Sequence, residues 1–440
     1  MRASMPTDRD VLALAVPALG ALIAEPLYVL GDTAIVGHLG TVPLAGLALG
    51  GLMLGEVFGF CTFLEYGTTA KAARLFGADQ HSEALDVGVQ ATWLALLMGA
   101  LLVGAMELAA RPATELLGGG STPAVAQAVE WLRIASFGAP AVLVVAAAQG
   151  WLRGFQNTRT PLVVIGVANV ASVGMSALLV NGVGLGIRGS AIANVAAQTG
   201  SAAVFLALLG RTGAPLGPHW SRMRGQLAAA RDVSLRTLSF FVAFTIATGV
   251  AARISDPVLA AQQIGVQLWG FCALFMDSTA IAAQALIGRL LGADQLDWAD
   301  RLARRLLVAG TLLGCAFALV LAGGYALIPH IFTSDPRVLH QTRVLWPWLV
   351  VIMPAAGYVF ALDGVLFGAG DLRFLRDVTA VGALAGFVPL SLASASFGWG
   401  LSGLWAGLAA FVAIRLVIGF VRWRGGRWLV GGVAMVDEAG

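Results

Sequence analysis

Long apolar stretches alternate with short polar breaks along almost the whole chain. A helix that crosses a membrane needs about 20 mostly apolar residues. The breaks are rich in Gly, Pro, Asp and Arg, as in the turns of tight helical hairpins. The pattern predicts twelve transmembrane helices, at approximately 10–37, 43–70, 83–109, 123–150, 160–181, 187–210, 228–252, 257–289, 299–325, 335–368, 375–396 and 400–422.

The composition agrees with a membrane protein and excludes a soluble enzyme. Apolar residues make up 58% of the 440 residues and charged residues 12%, whereas soluble proteins carry about 25% charged residues. The net charge is only +3 and no basic block is dense, so we expect no nucleic-acid partner. Cys61, Cys272 and Cys315 all lie in apolar runs. Such cysteines indicate packing rather than a disulfide or metal site.

The placement of arginine predicts the orientation, because cytoplasmic loops carry an excess of Lys and Arg. With both termini in the cytoplasm, most of the 27 basic residues, including Arg2, Arg236 and Arg415, lie on the cytoplasmic side. The other side then holds Arg111, Arg133, Arg188, Arg253, Arg337 and Arg343. We therefore expect a multi-pass protein of the cytoplasmic (inner) membrane with both ends inside the cell.

The two halves of the chain resemble each other. The matching segments are Ala73–Gln80 (ARLFGADQ) with Gly288–Gln295 (GRLLGADQ), Gln149–Leu152 (QGWL) with Asp363–Leu366 (DGVL), and the G-x-G-x-x-G turns that begin at Gly184 and Gly398. Each of these turns lies between two predicted membrane helices, so it indicates a hairpin rather than a dinucleotide site, which needs a βαβ unit.

Six predicted helices fall in each half, so the repeats run in the same direction through the membrane. We expect an amino-terminal lobe over 1–210, a cytoplasmic linker over 211–226 and a carboxy-terminal lobe with a short tail over 227–440. The predicted fold class is an all-α polytopic membrane protein with two pseudo-symmetric six-helix lobes around a central cavity. That architecture is typical of carriers that work by alternating access.

Two acidic residues lie inside the first predicted helix. Glu25 and Asp32 are seven residues apart, hence two turns apart and nearly on one face. Pro17 and Pro26 interrupt the same helix and allow it to bend. A carboxylate at the bilayer centre costs about 2.5–3.5 kcal/mol, and burial favours the neutral form that accepts and releases protons. Asp32, with Glu25 nearby, is the candidate coupling group; the alternative is a structural hydrogen bond between helices.

Other polar residues have structural alternatives of the same kind. Asp277 and Asp363 give the second half its own acids, as a cation site or as hydrogen bonds between helices. Apolar and aromatic walls with few acids suit bulky amphipathic cations or neutral drugs. The candidate substrate contacts, each also explained by helix packing, are Asn169, Phe60, Glu56, Gln198, Trp269 and Met276.

Four segments carry a family resemblance that covers nearly the whole chain. They are Glu25–Gly40 (EPLYVLGDTAIVGHLG), Phe63–Gln80 (FLEYGTTAKAARLFGADQ), Leu152–Pro161 (LRGFQNTRTP) and Phe360–Asp371 (FALDGVLFGAGD). These segments resemble the multidrug and toxic compound extrusion (MATE) family, and within it the branch of DNA-damage-inducible protein F (DinF). The resemblance implies twelve helices in two lobes and the export of drugs in exchange for H+ or Na+.

The resemblance also implies site residues. Members of the family resemble one another in using an acid on the first helix, which here is Asp32. In some relatives this acid has an Asn, an Asp and a Thr as partners, and those positions correspond here to Ser172, Ser176 and Asn194. The second acid is thus absent. Because hard cations need several oxygens and compensating charge, this departure disfavours sodium and favours proton coupling.

We therefore expect a secondary multidrug exporter that is not an enzyme, uses no organic cofactor or metal, and exchanges amphipathic, often cationic, compounds for H+ by alternating access. It is expected to be monomeric in membrane lipid. Sodium-coupled drug antiport stays open, as does a lipid-linked oligosaccharide flippase of the same superfamily, which needs a basic cavity for pyrophosphate. A scaffold, a channel or a membrane enzyme is disfavoured by the intramembrane acids, the repeat and the lack of a catalytic constellation.

Overall fold

The computed structural model describes residues 5–120 and 122–439, and over these residues the chain is helical without β-strands. Arg2, one of the residues used to predict the orientation, lies outside the described residues. Eleven of the described helices are long and apolar enough to cross a membrane, and one bent helix pair supplies a twelfth span. The all-α membrane fold is therefore confirmed, and each predicted span corresponds to one of these helices or helix pairs.

The chain divides into two compact units. The first, called the N unit below, is Val16–Ala230. The second, called the C unit, runs from Arg231 onward and includes the chain up to Ala15. The division therefore falls within the first helix, between Ala15 and Val16. Residues 211–226, which the sequence predicts as a linker, belong to the N unit.

The N unit contains most of α1, the whole of α2 to α8 and the start of α9. The bounds are α1 Asp8–Gly37, α2 Thr41–Phe60, α3 Phe63–Gly77, α4 His81–Leu117, α5 Pro123–Ser136, α6 Ala139–Gly154, α7 Arg159–Ala177 and α8 Ile187–Gly210. A π-helical turn, Leu178–Gly182, extends α7. Helices α2 and α3 together make one span, and α5 and α6 make the bent span, with 55° between them.

The C unit contains most of α9 and the remaining helices. The bounds are α9 Trp220–Ile254, α10 Asp256–Gly292, α11 Leu296–Gly323, α12 Ile328–Phe332, α13 Pro336–Ala369, α14 Leu372–Val381, α15 Val388–Phe397, α16 Gly400–Arg424 and α17 Val436–Ala439. A π-helical turn, Gly382–Phe387, joins α14 to α15.

Several helices begin at a polar cap followed by proline. Thr122 accepts a hydrogen bond from the backbone N–H of Val125, and Pro123 follows it. Asp335 accepts from the N–H of Arg337, and Pro336 follows it. Since the first N–H groups of a helix lack partners within the helix, and proline has no N–H to satisfy, these pairs fix the starts of α5 and α13.

Two matched glycines let helices pack closely at corresponding places in the two units. A Cβ atom on Gly150 of α6 would lie 2.8 Å from the carbonyl oxygen of Glu65 on α3. A Cβ atom on Gly364 of α13 would lie 2.4 Å from the carbonyl oxygen of Ala280 on α10. Any larger residue would force the helices apart, which explains why the QGWL and DGVL segments share this glycine.

Candidate functional site

Asp32 lies on α1 with only 3% of its surface exposed, and two hydroxyl groups from other helices bind it. Ser176 Oγ on α7 donates to Oδ1 at 2.6 Å, and Ser190 Oγ on α8 donates to Oδ2 at 2.6 Å. The Ser190 hydroxyl in turn accepts a hydrogen bond from Nε1 of Trp131 on α5 at 3.1 Å. Both carboxylate oxygens therefore accept a short hydrogen bond from a neutral hydroxyl group.

Tyr28 lies one helical turn before Asp32 on the same face of α1. Its hydroxyl accepts a hydrogen bond from Nδ2 of Asn194 on α8 at 2.8 Å. The hydroxyl of Ser172 on α7 lies beside Tyr28. Its Oγ is buried and has no hydrogen-bond partner among the described residues. Tyr28, Ser172 and Asn194 thus form a second group of polar side chains, one helical turn from Asp32. Within this group only Tyr28 and Asn194 are hydrogen-bonded to each other.

Glu25 and Asn169 form a third group of polar side chains, about two helical turns from Asp32. Glu25 is exposed, whereas Asn169 on α7 is 6% exposed. The Asn169 side chain lies beside the Glu25 carboxyl group, yet its buried Nδ2 has no hydrogen-bond partner within the described part of the chain. Polar side chains of α1, α7 and α8 thus face one another. Of the two acids on α1, Asp32 is the one that accepts a hydrogen bond from both neighbouring helices.

The expected partners of Asp32 lie at two positions along α1, one beside Asp32 and the other beside Tyr28. Ser176 contacts Asp32 directly, whereas Ser172 and Asn194 lie at the level of Tyr28. Ser190 and Tyr28 were not predicted as site residues. Helical spacing is the signal that identifies them, because Ser190 precedes Asn194 by four residues and Tyr28 precedes Asp32 by four.

No positive charge balances the acids of this site. Among the described residues, no Arg, Lys or His forms an ion pair with Asp32 or Glu25. Neutral hydroxyl groups alone stabilise the Asp32 carboxylate. A carboxylate held only by neutral donors becomes uncharged when it binds a proton, and no unpaired cation is then left beside it. This arrangement is chemically suited to reversible protonation.

The proposed substrate contacts are dispersed over both units. In the N unit, Gln198 is half-buried one turn after Asn194, Glu56 is exposed on α2, and Phe60 is half-buried at the end of α2. In the C unit, the Trp269 ring lies 6.5 Å from that of Phe360. Met276 is 1% exposed in the hydrophobic core of the C unit, where it contributes packing and presents almost no surface to a ligand.

The two acids proposed for the second half differ in their surroundings. Asp277 is half-buried on α10. Asp363 on α13 is bound by two arginines: Nη2 of Arg236 donates to its Oδ2 at 2.6 Å, and Nη2 of Arg415 donates to the same oxygen at 2.5 Å. These arginines neutralise Asp363, which leaves no negative charge for a bound cation.

Arg415, which the orientation argument places on the cytoplasmic side, is a buried helix residue and does not lie in a loop. It is 4% exposed and lies within α16, nine residues before the helix ends at Arg424. An arginine buried inside the protein is not a loop charge and carries no weight in the positive-inside comparison. The loop arginines still support that comparison.

The described residues contain no group of three or more His, Cys, Asp or Glu side chains that could hold a metal ion. Cys61 and Cys272 are buried free thiols, and Cys315 is a half-buried one. Their burial in apolar surroundings matches a packing role.

Known proteins resemble this chain along nearly its whole length. The MatE family model matches it twice, at residues 17–178 and 233–392. DNA damage-inducible protein F of Escherichia coli is 30% identical over 444 residues, which cover 96% of this chain and 94% of that protein. Protein DETOXIFICATION 45, chloroplastic, of Arabidopsis thaliana is 30% identical over 446 residues, covering 96% of this chain and 79% of that protein.

Solved structures show the same fold. A mutant of the Vibrio cholerae MATE transporter VcmN superposes with a TM-score of 0.87 at 20% identity, covering 95% of this chain and 96% of that one. A MATE protein in the bent conformation superposes with a TM-score of 0.88 at 18% identity, covering 95% of each chain. The double match to one family model agrees with the internal repeat seen in the sequence.

Proposed function

Because the chain belongs to the MATE family of multi-pass membrane transporters, we propose that it exports amphipathic, often cationic, compounds in exchange for H+, with Asp32 as the proton-binding group. The single observation that carries this proposal is the Asp32 carboxylate, buried in the N unit and bonded by Ser176 and Ser190, with no ion pair to an Arg, Lys or His among the described residues. The protein then works as a monomer in the cytoplasmic membrane with both termini inside, without an enzymatic activity or organic cofactor.

Protonation of Asp32 requires its hydrogen bonds to rearrange. A neutral carboxyl group carries one O–H donor, so one of the two serine hydroxyls must stop donating and accept instead. Ser190 already accepts from Trp131, whereas the Ser176 hydroxyl bonds only to Asp32 among the described residues and can turn its proton toward the backbone carbonyl one turn earlier. We therefore propose that Ser176 reverses, which loosens α1 from α7 near Pro26 and couples the proton to a change of shape.

The driving force is adequate for this step. Moving one charge through a potential of 100 mV supplies about 2.3 kcal/mol, and a pH gradient adds to it. This energy compares with about 1.5–3 kcal/mol for a hydrogen bond to a charged group. One proton therefore suffices to exchange the bonded arrangement of Asp32 for another.

Proton coupling is supported over sodium coupling by the oxygens present. Sodium, like other hard cations, needs several oxygen ligands and compensating charge. Among the described residues, Asp32 is the acid bound by Ser176 and Ser190, and Glu25 lies about 10 Å away along the helix. The flippase alternative requires positive charge for a pyrophosphate, whereas the described residues of the N-unit site are acidic or neutral.

Transport by the purified protein in sealed vesicles tests the proposal. We expect efflux of a fluorescent cationic dye to follow an imposed pH gradient and to be indifferent to a sodium gradient applied alone. Asp32→Asn, which keeps the shape and removes the titrating group, should abolish pH-driven efflux. Asp86→Asn is the matched control, because Asp86 is also a buried N-unit aspartate but is bound by Gln90 and Arg222.

Two results would contradict the proposal. Wild-type efflux driven by sodium and not by pH would exclude the proton as the coupling ion. Undiminished pH-driven efflux by Asp32→Asn, in protein that elutes as a single species, would remove Asp32 from the mechanism while leaving the family assignment intact.

A further inference from the structure

The C unit encloses a cluster of two arginines and one aspartate. Arg236 on α9 and Arg415 on α16 both donate to Oδ2 of Asp363 on α13, at 2.6 Å and 2.5 Å. The exposed fractions of the three side chains are 14%, 4% and 11%. Three separate helices therefore bring their charged groups to one buried point.

The charges in this cluster do not cancel. Both arginines carry a positive charge, and Asp363 supplies one negative charge. No other Asp or Glu in the described part of the chain forms an ion pair with either arginine. One positive charge is left in the interior of a membrane protein, where an unpaired charge is costly.

The arginines also have hydrogen-bond donors to spare. The Nε atoms of both are buried and have no acceptor among the described residues. The rings of Phe240, Phe367 and Phe411 lie over the guanidinium groups at 5.1 to 5.2 Å. These ring faces attract the guanidinium charges, but the Nε–H groups remain without a hydrogen-bond acceptor among the described residues.

The corresponding place in the N unit is balanced. Gln149 aligns with Asp363 through the QGWL and DGVL segments. There Arg153 forms an ion pair with Glu65 and donates a hydrogen bond to the neutral side chain of Gln149 at 2.9 Å. The same packing position is thus neutral in one unit and positive in the other, so the excess charge is not a requirement of the fold.

We propose that Arg236 and Arg415 form a binding site for one small monovalent anion, of the size of chloride or of a small carboxylate. The anion supplies the missing negative charge and accepts hydrogen bonds from the guanidinium groups that Asp363 leaves unused. This site is distinct from Asp32 and does not depend on the proposed proton coupling.

Thermal unfolding of the full-length protein in a neutral detergent tests the site. At constant ionic strength, chloride replaces gluconate stepwise, and a parallel series uses acetate. We expect the wild-type Tm to rise with the anion concentration and to saturate.

Arg236→Gln leaves a neutral pair of Arg415 and Asp363, so its Tm should not respond to the anion. Asp363→Asn leaves two positive charges, so its half-saturating concentration should fall about tenfold, the factor that corresponds to 1.4 kcal/mol.

Two further variants separate binding from general damage. Arg415→Gln creates the same neutral pair from the other side and should also abolish the response. Arg422→Gln is the matched control, since Arg422 pairs one-to-one with Asp371 in the same unit and its loss should leave the wild-type anion response. A stronger response to acetate than to chloride would identify a carboxylate as the preferred anion.

The proposal is overturned by either of two outcomes. One is a wild-type Tm that is the same in chloride, acetate and gluconate. The other is a wild-type response to chloride that persists in both Arg236→Gln and Arg415→Gln. Neither outcome bears on the transport experiment with Asp32, because no proton gradient is involved.

Discussion

Ser190 is held so that its proton points at Asp32. Its Oγ accepts from Trp131 at 3.1 Å and donates to Asp32 Oδ2 at 2.6 Å. Because the tryptophan N–H is a donor only, the Ser190 hydroxyl cannot donate to Trp131 and is directed to the carboxylate. Ser190 therefore selectively stabilises the ionised form of Asp32.

Ser190→Ala should shift the pH dependence of transport. Removing a hydrogen bond to a charged group costs about 1.5–3 kcal/mol, which corresponds to one to two pH units. The loss falls on the ionised form of the site, so the pH of half-maximal efflux should rise by about that amount.

Ser201→Ala is the control for this shift. Ser201 is a buried serine on the same helix, but it does not contact Asp32. We expect its pH profile to match the wild type. A Ser190→Ala profile that also matches, in protein of normal Tm, would show that the Asp32 hydrogen bond does not govern the proton step.

Much of this site could be predicted from the sequence, because an acid inside an apolar helix is conspicuous. Asp32 and Ser176 are in direct contact as the family resemblance implies. Ser190 was missed because a serine in an apolar helix more often packs against its neighbours. Which face of α8 turns toward α1 depends on the packing of both helices, and the helical period alone gives only the relative placement of Ser190 and Asn194.

The arginine cluster of the C unit could not be predicted from the sequence. Arg236, Asp363 and Arg415 lie on three helices far apart in the chain. A count of loop charges assigns the arginines to the cytoplasmic side, since sequence indicates neither their depth nor the rotation of α9 and α16. Close packing at Gly364 fixes α13 against α10 and thereby the position of Asp363.

The Tyr28–Asn194 hydrogen bond should contribute measurably to stability. Tyr28→Phe leaves Asn194 Nδ2 without its acceptor, and a buried donor left unpaired costs about 1–3 kcal/mol. We expect a lower Tm, and a smaller further loss when Asn194→Ala is added, because the two residues share one bond. Tyr358→Phe is the control. The Tyr358 hydroxyl is buried without a hydrogen-bond partner among the described residues, so its removal should leave the Tm unchanged or raised.

A second prediction about stability concerns the buried ion pair of the N unit. Arg153, whose side chain is 3% exposed, pairs with Glu65 at 17%. Arg153→Met leaves the Glu65 carboxylate unpaired, and breaking a buried pair on one side costs about 3–5 kcal/mol. We expect a strongly lowered Tm that the double variant with Glu65→Gln largely restores. If the loss of stability in the double variant equalled the sum of the losses in the two single variants, the two residues would not be coupled.

The tail of the chain contains a titratable group outside the spans. Asp437 Oδ2 accepts hydrogen bonds from the backbone N–H groups of Leu372 and Arg373, at 3.0 Å and 2.9 Å, and so caps the start of α14. Burial raises the pKa of Asp437, and this effect exceeds the lowering by those two bonds. The folded protein therefore binds this proton more tightly than the unfolded chain does.

The sign of the resulting pH dependence follows from that difference. Between the ordinary pKa of an aspartate, about 4, and the raised pKa in the fold, stability decreases as the pH rises, and it stays lower above that range.

Asp437→Asn keeps an acceptor oxygen for α14 and removes the buried charge. Its Tm at pH 7 should equal or exceed that of the wild type, with a flatter decline from pH 4. Asp437→Ala loses the cap and should be less stable than the asparagine variant by about 1 kcal/mol. A lower Tm for Asp437→Asn than for the wild type at pH 7 would mean that the charged cap stabilises the fold despite its burial.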